Sequence, residues 1–218
     1  MSVTEVTGEQ RGGDAPAIRH VLFDADGVLQ ELPGGWLAAA EPYFGKRALE
    51  FLERSYEAEL SSLAGQGDQL VTLAGMLPDF DITAPLEDVY RDIWLRMEPA
   101  PASFAVVRAL RANGYGVHLG TNQERHRGTH MREVLGYDAL FDVSCYSWEL
   151  GAAKPDPVFF AEAVRRIGGE PSAILFIDDV IQNVTAAREA GLIAEQWSLD
   201  DGHDALHDLL ARHGVTAF

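Results

Sequence analysis

Residues 172–179 read SAILFIDD, an almost wholly apolar run that stops in two acids. A strand with one wet face alternates apolar and polar residues. A continuous run bounded by polar residues reads instead as a strand covered on both faces, as in parallel sheets sandwiched by helices. Related segments recur at 20–24, 115–122, 141–146 and 192–197. Helical segments alternate with them: 102–112 ending at Asn113-Gly114, 123–136 closed by Gly136, the run after Pro157, 184–191 stopped by Gly191, and 204–214. Glycine and asparagine at these ends are helix stop signals. Strand and helix in alternation predict an α/β protein with a Rossmann-like, doubly wound parallel sheet and right-handed crossovers. Its five strands, counted along this domain, are expected in the order 5-4-1-2-3.

One stretch breaks the alternation. After the first strand, Gly27, Pro33, Gly34 and Gly35 turn the chain. No strand is evident between about 31 and 98. Leu49, Leu52, Tyr56 and Leu60 recur at helical spacing, and Leu86, Val89, Tyr90, Ile93, Trp94 and Met97 do so again. The expected organisation is a loose arm over 1–17, an α/β core over 18–30 and 99–218, and an inserted all-helical cap over 31–98. EPAPA at 98–102 serves as the hinge, and the cap lies as a lid over the carboxyl edge of the sheet.

Charge and cysteine usage narrow the partners. Thirty-four acids against 17 Lys and Arg give a formal charge of −17, which disfavours reading a phosphate backbone, so no nucleic-acid partner is expected. No apolar run has the length of a membrane span and the polar start carries no signal-peptide core, so the expectation is a cytoplasmic protein without a membrane partner. A monomer is favoured, with a homodimer as the alternative. The lone Cys145 forms no disulfide framework and is expected to pack as a small hydrophobe. Neither a GxGxxG turn nor a Walker A lysine is present. His126 and His130 lack further zinc ligands, and His118 is expected packed within its strand.

In open α/β sheets, ligands bind outside the carboxyl ends of the strands. Four polar signals fall there: Asp24 with Asp26 in HVLFDADGVL, Thr121-Asn122, Lys154 in GAAKPDP, and Asp178-Asp179 with Asn183 following. Each residue type suits one task in phosphoryl transfer. Asp24 can attack phosphorus and form an aspartyl phosphate. Asp26 can protonate the leaving oxygen, then activate water. Mg²⁺ requires hard oxygen ligands, which Asp24, Asp179 and the backbone carbonyl of Asp26 can supply, with Asp178 beside them. Thr121 and Asn122 can hold phosphoryl oxygens, and Lys154 can offset the clustered charge while orienting nucleophile and phosphate. Thr121-Asn122 can equally cap the next helix, and Asn183 can support the site or its own helix.

On these residues the chain resembles the haloacid dehalogenase-like hydrolases. FDADGVL at 23–29 is similar to the first motif of that superfamily, Thr121 to the second, Lys154 to the third, and IDDVIQN at 177–183 to the fourth. The resemblance implies Asp24 as nucleophile, Asp26 as acid/base, Asp179 as metal ligand and Mg²⁺ as cofactor. It further implies a helical cap and hydrolysis of a small phosphorylated metabolite. TNQERH, the paired Asp178-Asp179 and Asn183 resemble sugar-phosphate phosphatases of the glucose-1-phosphatase type and the phosphatase domain of soluble epoxide hydrolase. Asp26 sets the chain apart from dehalogenases, which lack an acid there. A sugar phosphomutase and a non-catalytic binding protein on the same scaffold are the alternatives. Departures from the pattern are Gly120, which suggests an unusually open phosphate loop, and QELPGGW at the cap entrance, where Glu31 fits only in part. Trp36, Tyr43, Phe44, Tyr90 and Trp94 are candidates to line the lid, and Arg91 and Arg96 to bind a polar tail.

Overall fold

The computed structural model describes residues 17–217; apart from Ala17, the arm expected over 1–17 lies outside the described residues. In chain order the elements are β1 (His20–Phe23), β2 (Gln30–Glu31), α1 (Gly35–Phe44), α2 (Ala48–Leu63), α3 (Gln69–Met76), α4 (Leu86–Trp94), β3 (Glu98–Pro99), α5 (Pro101–Ala112), β4 (Gly116–Thr121), α6 (Arg125–Glu133), β5 (Val143–Tyr146), α7 (Ser147–Leu150), α8 (Pro157–Ile167), β6 (Ile174–Asp178), α9 (Ile181–Glu189), β7 (Ile193–Gln196) and α10 (His203–Arg212). Five strands form one sheet in the order β5-β4-β1-β6-β7. All its pairings are parallel. This is the expected order and class.

The apolar run of β6 serves two cores at once. Leu175 and Ile177 join Val21, Phe23, Val117 and Leu119 in a cluster with residues of α5 and α10. Ile174 and Phe176 point the other way and pack with Leu22, Phe159, Phe160 and Val184. Period-two alternation is present, but both faces are covered, so it never shows as apolar against polar. Cys145 belongs to the second core, and burial pushes its thiol up to about 12, which leaves it protonated at neutral pH and without nucleophilic character.

Midway along β4, His118 is buried and its Nε2 lies 3.0 Å from Nδ1 of the ring of His20, the first residue of β1. Burial, then the neighbouring His20, lowers its pKa to about 4. The unfolded chain therefore takes up a proton near pH 6.5 that the folded chain refuses until about pH 4. Stability from this group is full above pH 6.5 and lost as pH falls through that window, by about 3 kcal/mol. Urea melts at pH 7 and pH 4.5 should show the drop, and His118→Gln should remove most of it; an unchanged slope in the variant would assign the acid sensitivity elsewhere.

Helices α1–α4 form the inserted helical cap around their own apolar cluster, in which Phe44 stacks on Phe51 at 3.7 Å and both meet Phe80 edge-on. The expectation of no strand between 31 and 98 needs one correction. β2 and β3 pair antiparallel, Gln30 with Pro99 and Glu31 with Glu98, and so join the two ends of the insert. Two residues per strand, one of them proline, carry no periodic signal.

Candidate active site

Sheet register assembles the strand ends. Phe23 lies opposite Ile177 on one side and Leu119 on the other, and the Asp24 N–H donates to the Ile177 carbonyl at 2.9 Å. The residues that follow, Asp24, Asp178 and Gly120-Thr121, therefore emerge side by side. Gly120 owes its place to packing: a Cβ there would come within 3.0 Å of the Leu22 side chain. Its missing side chain leaves room for Leu22 beneath the strand.

Lys154 arrives from the loop between α7 and α8 and bridges two carboxylates, with Nζ 2.8 Å from Asp24 and 2.7 Å from Asp178. Its side chain is 1% exposed. Burial opposes its charge, but Asp178 and Asp24 outweigh that and hold the ammonium above its ordinary pKa. Asn122 fixes the loop reciprocally: its amide donates to the Lys154 carbonyl and its carbonyl oxygen accepts from the Lys154 N–H, both at 2.8 Å. The structure thus gives Asn122 a supporting task beside the substrate contact expected of it. Thr121 is buried, and its hydroxyl accepts from Gln123 Nε2 at 3.0 Å. Neither residue caps α6; that is done by Glu124, whose carboxylate accepts from the N–H groups of His126 and Arg127.

Asp24, Asp178 and Asp179 each offer an oxygen within 4.8 Å of the others. They are not equivalent. Both oxygens of Asp178 already accept hydrogen bonds, from Lys154, the Val180 N–H and the Asn183 amide. Among the described residues, no other residue donates to the second oxygen of Asp24 or to the Asp179 carboxylate. Asp179 presses on the turn after β1: a Cβ on Gly27, whose φ is +74°, would lie 2.5 Å from its Oδ2. Only glycine suits both that conformation and that approach. Burial, partly offset by Lys154, raises the Asp24 carboxyl to about 8, and burial with the nearby Asp178 raises Asp179 to about 6. One ammonium therefore under-compensates three acids. Hard, partly unpartnered oxygens in that state fit a divalent cation of the Mg²⁺ type.

Asp26 faces a different set of partners. Arg127 grips its carboxylate with two bonds of 2.7 and 2.8 Å, and Gln30 and Gln123 donate at 2.6 and 3.0 Å. Burial alone would raise this carboxyl; Arg127 and the two amides more than offset it and hold the group below its ordinary value. Asp26 is therefore ionised in this arrangement, and its side chain stands apart from the three-acid cluster. Sequence reasoning passed over Arg127, Gln30 and Gln123. The available signal was QERHR at 123–127, immediately after Thr121-Asn122, which puts an amide and two arginines within five residues of the strand end.

Arg127 also ties core to cap. Its Nε donates to the Trp94 carbonyl at 3.2 Å and its guanidinium lies 5.3 Å from the Trp36 ring centre. Further ties are Tyr90 to Glu124, and Asp68 to Arg125 and His126 at 2.7 and 2.9 Å. Between cap and core lies a cavity of about 460 Å³ bordered by Asp26, Asn122, Arg127 and a face of α2. Of the lid candidates, Trp36 and Trp94 line it. Phe44 and Tyr90 are buried in the cap, Tyr43 donates to Asp92, and Arg91 pairs with Asp88 and Asp92.

The sequence model of the haloacid dehalogenase-like hydrolases matches residues 18–191. Among curated proteins, the chain is 26% identical to a glyceraldehyde 3-phosphate phosphatase of Methanopyrus kandleri over 81% of this chain and 82% of that one. It is 25% identical to a phosphoglycolate phosphatase of Cereibacter sphaeroides over 89% and 91%. Among solved structures, a HAD family enzyme of Bacteroides thetaiotaomicron, in complex with magnesium and inorganic phosphate, superposes with a TM-score of 0.69 at 20% identity, covering 83% of this chain and 94% of that one.

Proposed function

Because this chain belongs to the haloacid dehalogenase-like hydrolases, we propose that it is a Mg²⁺-dependent phosphatase of a small phosphorylated metabolite, working through an aspartyl phosphate on Asp24. The observation that carries this reading is the Asp24–Lys154–Asp178 bridge beside Asp179. It supports a nucleophile at a strand tip, oriented by one ammonium and facing the hard-oxygen cluster. The names of the two relatives, both phosphatases of small phosphate esters, support the same substrate class.

In this reading Asp24 attacks phosphorus in line with the leaving oxygen. Lys154 steadies the nucleophile and the transferred group, and Thr121 binds a phosphoryl oxygen. Asp24 and Asp179, with the Asp26 carbonyl, would hold Mg²⁺, and the ion would supply charge neutralisation at the phosphoryl oxygens. Asp178 acts through Lys154 and Asn183. Asp26 is the acid/base: a phosphate dianion beside it opposes the pull of Arg127 and raises its proton affinity for the first step, and the ionised state seen here suits the second, in which it activates water.

Within the family, TNQERH, Asp178-Asp179 and Asn183 support a core of the glucose-1-phosphatase type. We read 18–30 with 99–218 as that core, 31–98 as the cap, and the protein as a cytoplasmic monomer. No helix among the described residues is long and apolar enough to cross a membrane, and the acidic balance speaks against nucleic acid. Phosphate release from p-nitrophenyl phosphate tests the core of this reading. Release should depend on added Mg²⁺, fall to background in EDTA, and return when Mg²⁺ is restored in excess. Metal-independent release, or none at all, would overturn it.

A further inference from the structure

The cavity over Asp26 carries more information than its volume. Helix α2 turns toward it a face that carries Tyr56 and two acids, Glu53 and Glu59, and Trp36 and Trp94 line the same cavity. Among the described residues, neither glutamate's side-chain carboxylate takes part in a hydrogen bond or ion pair. The cation in the wall, Arg127, is already committed in both directions to Asp26. The wall therefore holds three carboxylates against one guanidinium, and neither the exposed Glu53 nor the half-buried Glu59 has a cation of its own. Burial, with Glu124 and Asp26 nearby, outweighs the pull of Arg127 and raises Glu59 to about 7. A carboxyl in that condition gains most from an incoming cation.

We infer that the leaving alcohol of the substrate carries an ammonium group, which Glu53 and Glu59 recognise against the aromatic walls of Trp36 and Trp94. The inference rests on the phosphatase reading and narrows it. Carboxylates beside aromatic rings suit an alkylammonium, which takes the ion pair on one side and the ring quadrupole on the other. Trp36 is 38% exposed, so part of its surface is open to a ligand. A second anionic group on the alcohol would meet Glu53 and Glu59 at close quarters, in the field of a chain of formal charge −17. The chemistry of hydrolysis is unaltered: the P–O bond to the leaving alcohol breaks, water supplies the new hydroxyl of phosphate, and the ammonium leaves intact on its alcohol.

A matched series tests this on the full chain with Mg²⁺. Linear alkyl phosphates of two to six carbons, ending in ammonium, hydroxyl or carboxylate, share one leaving alkoxide and differ only at the far end. At the best chain length, kcat/KM should be about tenfold higher for ammonium than for hydroxyl, and about a hundredfold higher than for carboxylate. Glu59→Gln and Glu53→Gln should each lower the ammonium-to-hydroxyl ratio severalfold, and Glu59→Asp should recover part of it. Because both esters are measured on the same variant, any loss of folded protein cancels from the ratio. Hydrolysis of p-nitrophenyl phosphate without an ammonium preference, or a ratio unmoved by both Gln variants, overturns the inference and leaves the phosphatase reading standing. Failure of wild type to hydrolyse any ester, aryl phosphate included, overturns both.

Discussion

Asp24→Asn should lower kcat on p-nitrophenyl phosphate by at least about a hundredfold while leaving the fold intact. An amide is almost the same size as the carboxylate and still offers Lys154 a carbonyl oxygen. The ammonium also retains Asp178, 2.7 Å away. In the proposed mechanism, what disappears is the anionic oxygen that attacks phosphorus, together with one hard ligand of the cation cluster. Circular dichroism and a urea midpoint close to wild type would establish that chemistry, and not folding, was lost. Turnover near wild type in a folded variant would remove Asp24 from the nucleophile's role.

Lys154→Met should be costly in a different way. The side chain is buried between Asp24 and Asp178, themselves 7% and 0% exposed. Methionine fills much of the same volume but leaves two buried acids facing each other without a cation. Removing one partner of a buried ionic network costs about 3–5 kcal/mol, and turnover should fall with it. The pH dependence identifies the cause. Asp24 already sits above its ordinary range because of burial, with Lys154 pulling the other way; without Lys154 it must rise further. A carboxyl whose folded pKa lies above its unfolded value keeps stability at low pH and loses it as pH climbs between the two. Wild type carries the same loss up to about pH 8, so in EDTA the variant's deficit in unfolding free energy should widen above that and be larger at pH 9.5 than at pH 7. An equal deficit at both would mean that lost packing, not unpaired charge, is responsible.

Much of this could be read from residue order alone, for a physical reason. Strands such as SAILFIDD are apolar on both faces because helices cover both, and acids at their ends stand out against that run. Asp24, Asp178 and Asp179 stand out in this way and the register brings them together, with Lys154 reaching them from the loop before α8. Arg127 does not, because a charged residue on a helix ordinarily faces solvent; only the tertiary structure shows it buried and bonded to Asp26. Glu53 and Glu59 stayed hidden for the converse reason. They lie on an amphipathic helix whose spacing reports that one face is covered, without reporting by what. At Gly120, residue order carries no sign that Leu22 packs where a Cβ would sit. Asn122 shows the same limit: its type announces a polar contact, and only tertiary structure reveals that the partner is the backbone of Lys154.

The antiparallel pairing of Gln30 with Pro99 has an evolutionary corollary. Since the inserted helices leave and rejoin the host at neighbouring points, the neck is closed by residues already in contact, and the loop-closure entropy of a longer or shorter insert grows only slowly with its length. Lineages can therefore trade or remodel that module without displacing the strands that carry the reactive acids. Recognition of the alcohol and chemistry at phosphorus can drift at separate rates, coupled chiefly through Arg127 and the few other contacts that cross the seam.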